Sequence, residues 1–414
     1  GQDRASMACH LVIDAHGKLK DWRFTRALVR LAANIAYEDA QAAIDGTKPH
    51  DLTDTALRPL WACWKLLYKA RHAREPLDLD LPERRIVLDE AGRIVSVATR
   101  ERLDAHRLVE DFMIAANVAA AKALEGKKAP VVYRVHEPPS REKLVALKDY
   151  LETFEIAFAL GQVVRPSTFN AILARVTDET VKPMVMEQVL RSQTQAYYGP
   201  RNMGHFGLSL GSYGHFTSPI RRYADLLLHR ALVDAYKLEQ PAPKSDLPPS
   251  TGLSEQDAAS LDRICQLISS FERRAMEAER ETVDRYVAAF LATRIGEVHK
   301  VRITGVQNFG FFATIEEFGG DGLVPVSTLG AERFWYDEKA QTLTGETTGE
   351  QYAVGQRLEL RLVEADPITG AIKFELPEGG NFMREPYRGR NDGKPKRPPI
   401  KRRGRPGNIR HQSR

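Results

Sequence analysis

The chain is poor in cysteine and has no long apolar run, and both absences exclude classes of protein. Cys9, Cys63 and Cys265 are far apart and none belongs to a C-x-x-C pair, which argues against a zinc site and a disulfide framework. Each is expected to be a small buried thiol, as in a reducing cytoplasm. No run of about 18 apolar residues exists, so we expect no membrane span and no membrane partner.

The N-terminus lacks a signal-peptide pattern and an initiating methionine. It starts abruptly before the strand-like run MACHLVID, and we therefore expect a processed or truncated chain. At 414 residues the sequence has room for two or three domains, at about 150 residues per domain.

Charge is unevenly distributed along the chain. The net charge is +5, but residues Asn381–Arg414 contain 12 Lys/Arg and 2 Asp/Glu, so this tail carries +10 and the remainder −5. The tail has many prolines and glycines and almost no apolar residues, so we expect it to be disordered. Its sign and density are typical of a nucleic-acid-binding arm, with a solvated arm that has no partner as the alternative.

The stretch Gly204–Arg230, GHFGLSLGSYGHFTSPIRRYADLLLHR, carries the strongest local signal. Its glycines allow the backbone to approach bulky groups. Thr217 or Ser218 is suited to cap a helix, with Pro219 in its first turn. The apolar residues that follow recur at helical spacing and predict a core-facing stripe. They are Ile220, Tyr223, Ala224, Leu227, Leu228 and Ala231.

Arg221 and Arg222 are predicted to lie in the first turn of this helix, where the helix dipole disfavours cations. Two cations at that end indicate a nearby anion, and a helix N-terminus is already suited to phosphate. One interpretation is a phosphate clamp. The other is that both guanidinium groups are solvated or paired with local acids.

The Gly204–Arg230 stretch closely resembles the signature of the ribonuclease II/ribonuclease R (RNB) family of processive 3′→5′ exoribonucleases. The core HFTSPIRRYADL is long and specific. Three further stretches resemble the family, and YRVHEPP with the basic tail is typical of its ribonuclease R branch. They are Glu110–Ala121, Tyr133–Leu144 and Arg191–Pro200.

The order of predicted elements indicates an α+β fold. A hairpin is expected over 7–24, a helix from Thr25 to about Ile44, and further helices near 57–74, 104–124, 141–154, 166–174 and 183–195. Strands are expected on both sides of a turn at 90–92. A proline-rich loop, 240–250, precedes a predicted helical pair, Ser254–Ser270 and Glu272–Ile295.

Glu279 falls within the apolar stripe of the second of these helices, beside Met276, Val283 and Tyr286. A carboxylate on a buried face must be paired or hydrogen-bonded. It is either the structural partner of a buried arginine or part of a phosphate-handling site with Arg221.

From Gly296 the pattern changes to about five short alternating strands, which resemble the S1-type OB fold that binds single-stranded RNA. Phe309, Phe312, Lys300 and Arg302 supply the aromatic surfaces and cations that base stacking requires. Alternation places Phe311 and Phe312 on opposite faces, so at least one is expected in the core. The aromatic residues 334–336 are predicted in a long loop, either contacting RNA or packing on the barrel.

The resemblance implies Mg²⁺-dependent hydrolysis of RNA from the 3′ end, with release of nucleoside monophosphates. In the family, aspartates hold the metal ions, and the chain is expected to begin just after that segment, so no metal ligand is predicted within it. The two cold-shock-like domains that precede this segment in the family are absent too. Asp78, Asp80 and Glu83 are the only close set of acids, and we expect them on a solvated strand edge.

Three catalytic-site residues carry over from the resemblance. Arg221 corresponds to the arginine that holds the scissile phosphate, Glu279 to a catalytic-site glutamate, and Tyr37 to a tyrosine that packs on the 3′-terminal nucleotide. Core packing is the alternative for Tyr37. Ser218, Arg222 and His215 are further candidates for contacts with RNA, although a histidine in a glycine-rich segment is often only a hydrogen-bonding residue of the loop.

The sequence therefore predicts an incomplete RNB catalytic domain over 1–295, an S1-type barrel over 296–378 and a basic tail over 379–414. Expected partners are single-stranded RNA or RNA with a 3′ overhang, with the ribosome and an N-terminal fragment of the same enzyme as further candidates. The alternatives are a non-catalytic RNA-binding protein and a DNA-binding protein.

Overall fold

The structure, a computed structural model, describes residues 1–79, 84–90, 94–99, 102–161, 163–178, 181–238, 251–317 and 319–377. The predictions of a proline-rich loop at 240–250 and of a disordered basic tail at 379–414 lie outside the described residues.

The chain opens with a long antiparallel hairpin of β1 (Asp3–Ile13) and β2 (Leu19–Arg30). The pairing runs from Asp3 opposite Arg30 to Ile13 opposite Leu19, so β2 extends well past the predicted end of the hairpin. The prediction of a helix starting at Thr25 was wrong. The apolar spacing that includes Leu28 also fits a helix. Pairing with β1 satisfies the backbone hydrogen-bonding groups of both strands, so these residues form a strand instead.

The elements after the hairpin alternate between helices and short strands, and most predicted helices are confirmed within a few residues. They are α1 (Tyr37–Asp45), α2 (Arg58–Arg74), β3 (Arg84–Leu88), β4 (Ile94–Thr99), α3 (Asp104–Gly126), β5 (Tyr133–Val135), α4 (Arg141–Glu152), α5 (Pro166–Arg175), α6 (Lys182–Ser192), β6 (Tyr197–Gly199), α7 (Tyr223–Tyr236), α8 (Glu255–Ala259) and α9 (Leu261–Leu291). Two-stranded antiparallel sheets join β3 to β4 and β5 to β6.

Helix α3 forms the centre of the N-terminal part of the fold. Its alanines Ala119, Ala120 and Ala121 are completely buried, and they belong to one hydrophobic core with Leu228 of α7 and Phe24 of β2. Small side chains let neighbouring elements approach closely, so α3 fixes the positions of α7 and the hairpin together. The glycine-rich segment that leads into α7 is thereby held against this core.

The helical pair predicted after 250 differs from the structure. A short α8 is followed by one continuous helix of 31 residues, α9. No glycine or proline interrupts Leu261–Leu291, so nothing in the sequence breaks the helix near 271. At about 1.5 Å per residue, α9 is long enough to link the α3–α7 core to the C-terminal barrel.

The C-terminal part contains more strands than predicted. Five strands close into a barrel in the order β13-β14-β9-β8-β7, and β10, β11 and β12 form a separate sheet. The strands are β7 (Val298–Gln307), β8 (Gly310–Ile315), β9 (Asp321–Pro325), β10 (Phe334–Asp337), β11 (Thr342–Gly345), β12 (Gln351–Ala353), β13 (Arg357–Ala365) and β14 (Ile372–Glu375). Residues 334–336, predicted in a loop, therefore belong to β10.

The barrel packs directly against helices of the N-terminal part. Arg191 of α6 donates through Nη2 to the carbonyl oxygen of Thr304 at 3.1 Å, and Gln188 bonds to Gln341 at 3.2 Å. Gly355, with φ of 86°, lies so close to α6 that a Cβ there would overlap the Met184 side chain. These contacts fix the barrel relative to the site described next.

Candidate functional site

Helix α7 begins four residues later than predicted. Its first residue is Tyr223, and Arg222 before it has extended backbone angles, φ −123° and ψ 117°. Ile220, predicted in the core-facing stripe, is fully exposed. The prediction that Thr217 or Ser218 caps the helix, with both arginines in its first turn, was therefore wrong.

Asp225 explains why the chain turns here rather than continuing a helix. Its carboxylate is completely buried and accepts the backbone N–H of Ser218 at 2.7 Å. The same carboxylate receives two hydrogen bonds from Arg222, from Nε to Oδ2 and from Nη2 to Oδ1, each 2.8 Å. One buried acid thus holds both ends of the Ser218–Arg222 turn.

Arg222 is consequently neutralised by protein, which is the alternative raised above for this residue. Burial of the guanidinium opposes its charge, but the hydrogen bonds and negative charge of Asp225 raise the pKa of Arg222 above its usual value. A guanidinium bound through two nitrogen atoms to a buried carboxylate is not free to clamp a phosphate. The structure places Ser218 in the same turn, with its backbone N–H already used by Asp225.

Arg221 has the opposite environment. Its side chain is exposed, and within the described part of the chain its guanidinium makes no ion pair or hydrogen bond. Its backbone N–H donates to the carbonyl oxygen of Ser218 at 3.3 Å, which fixes where the side chain emerges. Arg221 is therefore a positioned cation whose charge is not paired with any acid in the described part of the chain.

The histidines beside this turn are neutral. His215 bonds through Nδ1 to the hydroxyl of Tyr198 at 2.9 Å. Burial, followed by the positive charges of Arg222 and Arg134, lowers the pKa of His215 to about 2. Burial, followed by the effects of His136 and Arg134, lowers the pKa of His205 to about 3. The candidate His215 thus offers a hydrogen-bonding ring rather than a proton donor at neutral pH.

Glycines of the segment allow this histidine cluster to form. The backbone N–H of Gly207 donates to Nδ1 of His136 at 2.9 Å, and a Cβ at Gly207 would lie 2.9 Å from the same atom. At Gly214 a Cβ would lie 3.1 Å from Leu228 of α7. The prediction of close backbone approach is confirmed at these two positions, with protein side chains as the neighbours.

Helix α9 contacts the site near its N-terminal half, but Glu279 lies elsewhere. Glu272 accepts from Nη1 of Arg134 at 2.6 Å, while Glu279 is exposed. The prediction that Glu279 lies on a buried face was wrong, because Met276, Val283 and Tyr286 are exposed too. Among the described residues Glu279 has no ion pair with Arg221.

Tyr37 is the first residue of α1 and is partly exposed rather than a core residue. Its ring stacks on the imidazole of His106, with centroids 4.3 Å apart and an interplanar angle of 29°. His106 belongs to the first turn of α3.

An acidic pair on α3 was missed by the sequence interpretation. Arg71 donates to Asp111 at 2.8 Å and to Glu110 at 3.2 Å, and Arg102 donates to Glu110 at 2.7 Å. Trp64 donates through Nε1 to the same Asp111 at 2.9 Å. The available signal was two consecutive acids directly before the mostly apolar run 112–121 of α3, since buried acids need such partners.

The RNA-contacting residues predicted for the barrel share its outer face. Lys300 and Arg302 lie two residues apart on β7 and therefore share one face. Arg302 lies opposite Thr314, which is two residues from Phe312 on β8. Phe309 and Phe312 are exposed and meet edge to face, with centroids 6.1 Å apart. Phe311 is completely buried, which confirms the predicted alternation.

Mg²⁺ is the metal that the family resemblance implies, and the described carboxylates do not fit it. Across the described ranges no group of three or more His, Cys, Asp or Glu residues converges on a common point. Magnesium sites need clustered hard oxygen ligands. Asp78 is exposed and its backbone N–H bonds to Asn170, whereas Asp80 and Glu83 lie outside the described residues.

None of the helices in the described ranges is long and apolar enough to span a membrane.

Two family models match separate parts of the chain. The RNB domain model matches residues 1–237, and the S1 RNA binding domain model matches residues 293–376. The chain is 35% identical over 381 residues to Ribonuclease R of Aquifex aeolicus, covering 91% of this chain and 52% of the relative. It is 33% identical over 380 residues to Ribonuclease R of Escherichia coli, covering 90% and 46%.

A solved structure has the same fold. It is Mycoplasma genitalium RNase R in complex with ribose methylated single-stranded RNA, with a TM-score of 0.81 and 25% identity. The match covers 91% of this chain and 58% of that chain. The chain spans about half the length of the curated relatives it matches. With an RNB domain over more than half of its residues and an S1 domain after it, the chain belongs to the RNB family.

Proposed function

We propose that this chain is part of a 3′→5′ exoribonuclease that degrades single-stranded RNA processively to nucleoside monophosphates. The single observation that carries this proposal is the electrostatic contrast at the Ser218–Arg222 turn. Arg222 is neutralised by Asp225, whereas the exposed Arg221 beside it has no counter-charge among the residues that the structure describes. An RNA phosphate supplies the missing negative charge through charge-assisted hydrogen bonds.

The other candidate residues divide the work of binding a strand. Arg221 holds the phosphate of the scissile bond, and Tyr37 packs on the 3′-terminal nucleotide. The neutral His215 and the turn at Ser218 shape the surface beside Arg221. Phe309, Phe312, Lys300 and Arg302 bind bases and phosphates of the upstream strand on the outer face of the barrel.

The proposed division of the chain is an incomplete catalytic domain at 1–295, an S1-type barrel at 296–378 and a basic RNA-binding arm at 379–414. The absence of disulfide partners for Cys9, Cys63 and Cys265 supports a reducing, cytoplasmic setting. Structured RNA with a 3′ overhang and the ribosome are the proposed natural partners.

Metal binding requires clustered carboxylates, and the described residues contain no such cluster. Held by such carboxylates, Mg²⁺ would supply an activated water for RNA hydrolysis. We propose that an N-terminal polypeptide of the same enzyme contributes these carboxylates, and that Glu279, exposed on α9, is the catalytic-site glutamate of the complete enzyme. The 414-residue chain by itself then binds RNA but hydrolyses it poorly.

The second candidate is a non-catalytic RNA-binding protein that acts on ribosomal or messenger RNA through the barrel and tail. It is favoured by the lack of a clustered acidic site in the described ranges. The gene sequence upstream of the codon for Gly1 discriminates between the two, because an enzyme needs an aspartate-rich segment there.

Competition binding on the whole chain tests the proposal. Linear RNA with a free 3′ hydroxyl, the same RNA closed into a circle, and single-stranded DNA of the same sequence compete for the protein without divalent metal. An exonuclease site that captures a 3′ end predicts that linear RNA binds best. Equal binding of circular RNA supports the non-catalytic candidate, and equal binding of DNA supports a DNA-binding protein.

A further inference from the structure

Tyr37 and His106 form an aromatic pair between two helix starts. The rings are 4.3 Å apart and inclined by 29°, which is a stacked geometry. Tyr37 keeps 39% of its surface exposed. Because His106 covers one face of the Tyr37 ring, a base can stack only on the opposite face.

The imidazole of His106 is fixed by the start of α3. Its Nδ1 accepts the backbone N–H of Leu103 at 3.2 Å, so the neutral ring carries its proton on Nε2. Helix α1 is tied to the same place, because Oε1 of Gln41 accepts the backbone N–H of Ala105 at 3.0 Å. These bonds fix the two stacked rings relative to each other.

We propose that His106 is a positioning residue that holds the Tyr37 ring in the orientation in which it stacks on the 3′-terminal base of bound RNA. This inference rests on the proposed function, in which Tyr37 contacts that nucleotide. The order of layers is then imidazole, phenol ring and nucleobase. A base gains from a platform whose ring is already oriented, because less freedom is lost on binding.

A purely structural role for His106 makes a different prediction. Its Nδ1 serves the start of α3, whereas its ring face serves Tyr37, and substitutions separate these two contributions. His106→Phe retains an aromatic face and loses the acceptor. His106→Asn retains a short acceptor, suited to a helix start, and loses the ring. His106→Ala loses both.

The experiment places 2-aminopurine at the 3′ end of a single-stranded RNA and measures its fluorescence when the full chain binds in EDTA. Stacking on Tyr37 quenches the signal. We expect wild type and His106→Phe to quench fully. His106→Asn and His106→Ala are expected to lose most of the quenching and to bind about two- to tenfold more weakly. Far-ultraviolet circular dichroism establishes that each variant is folded.

The controls separate this inference from the function on which it rests. An RNA with 2-aminopurine at its 5′ end should give the same signal with every variant. If Tyr37→Ala abolishes quenching while His106→Asn and His106→Ala quench like wild type, the role of His106 is overturned and the role of Tyr37 stands. If Tyr37→Ala leaves quenching unchanged, both are overturned. Loss in His106→Phe with retention in His106→Asn shows a helix-capping role alone and overturns the inference.

Discussion

At the scale of single residues, Arg221 and Arg222 are neighbours with different tasks. Arg222 is bound to the buried Asp225, so it contributes to the fold of the turn. Arg221 emerges from the same turn and has no ion pair within the described ranges, and we propose that it binds a ligand phosphate. The sequence indicated that two cations at this position need negative charge. In the structure Asp225 supplies it for Arg222, and we propose that RNA supplies it for Arg221.

Replacing Arg221 by alanine should weaken RNA binding at the 3′ end with little effect on folding. The loss of a charge-assisted contact is expected to cost about 1.5–3 kcal/mol. Binding of a 3′-hydroxyl RNA, measured by fluorescence anisotropy, checks this, and the exposed Arg201→Ala is the matched control. In a complemented enzyme, catalysis should fall much more than binding to the barrel. An equal loss in both, or in the control, contradicts the assignment.

Replacing Asp225 by asparagine should lower the free energy of unfolding, whereas Arg221→Ala mainly weakens RNA binding. Arg222 would keep its buried position without its carboxylate, and breaking a buried pair in this way costs about 3–5 kcal/mol. Urea unfolding of wild type and Asp225→Asn measures the change, with the surface pair variant Asp54→Asn as control. Unchanged stability of Asp225→Asn would show that the ion pair is not what organises the turn.

At the scale of elements, the sequence predicted the helices that their own residues define. It did not predict elements whose structure depends on contacts with residues distant in the sequence. Helices α2 to α6 were predictable because their own residue spacing defines them, and Ser140 also caps α4. Residues 25–30 were not, since their pairing with 3–8 of β1 lies outside any local window. The position of Glu279 was mispredicted because a continuous apolar stripe on α9 indicates burial, whereas residues 273–283 in the middle of that helix are exposed.

The glycine-rich segment should make the stability of the fold depend on pH. The folded-state pKa values of His205 and His215 lie far below the usual 6.5, so the unfolded chain binds more protons as the pH falls. Their contribution to stability is therefore present above about pH 6.5 and is lost below it. Each histidine removes up to about 1.4 kcal/mol per pH unit.

Urea unfolding at pH 5.5 and 7.5 measures this effect. His215→Gln should reduce the difference in the free energy of unfolding between the two pH values, whereas substitution of the exposed His16 should not. An identical pH dependence in wild type and His215→Gln would contradict the account of a buried neutral ring.

Three neighbouring phenylalanines of the barrel should have different roles, two in RNA binding and one in stability. Phe309→Ala and Phe312→Ala remove exposed stacking surfaces, which costs about 1–3 kcal/mol of RNA affinity for each base stacked. Phe311→Ala opens a cavity in the barrel core, which costs about 3–5 kcal/mol of stability. Filter binding with an oligoribonucleotide and thermal unfolding measure the two quantities, and a loss of affinity in Phe311→Ala alone would exclude the outer face as the binding surface.

At the scale of the whole molecule, the fold is a scaffold that fixes distant sites relative to one another. Helix α9 runs from the α3–α7 core to the barrel, where its residues Val287 and Leu291 join the barrel core. The contacts of α6 with the barrel add a second connection. The family and its two-part architecture were predictable from sequence motifs, whereas these interdomain contacts were not, because they join surfaces without periodic pattern.

The proposed function is tested most directly by mixing the pure 414-residue chain with Mg²⁺ and an RNA that has a 3′ overhang, and by measuring binding and mononucleotide release in the same sample. We expect clear binding that weakens in Arg221→Ala, together with little release. Robust release of mononucleotides by the pure chain, or binding that does not depend on Arg221, would contradict it.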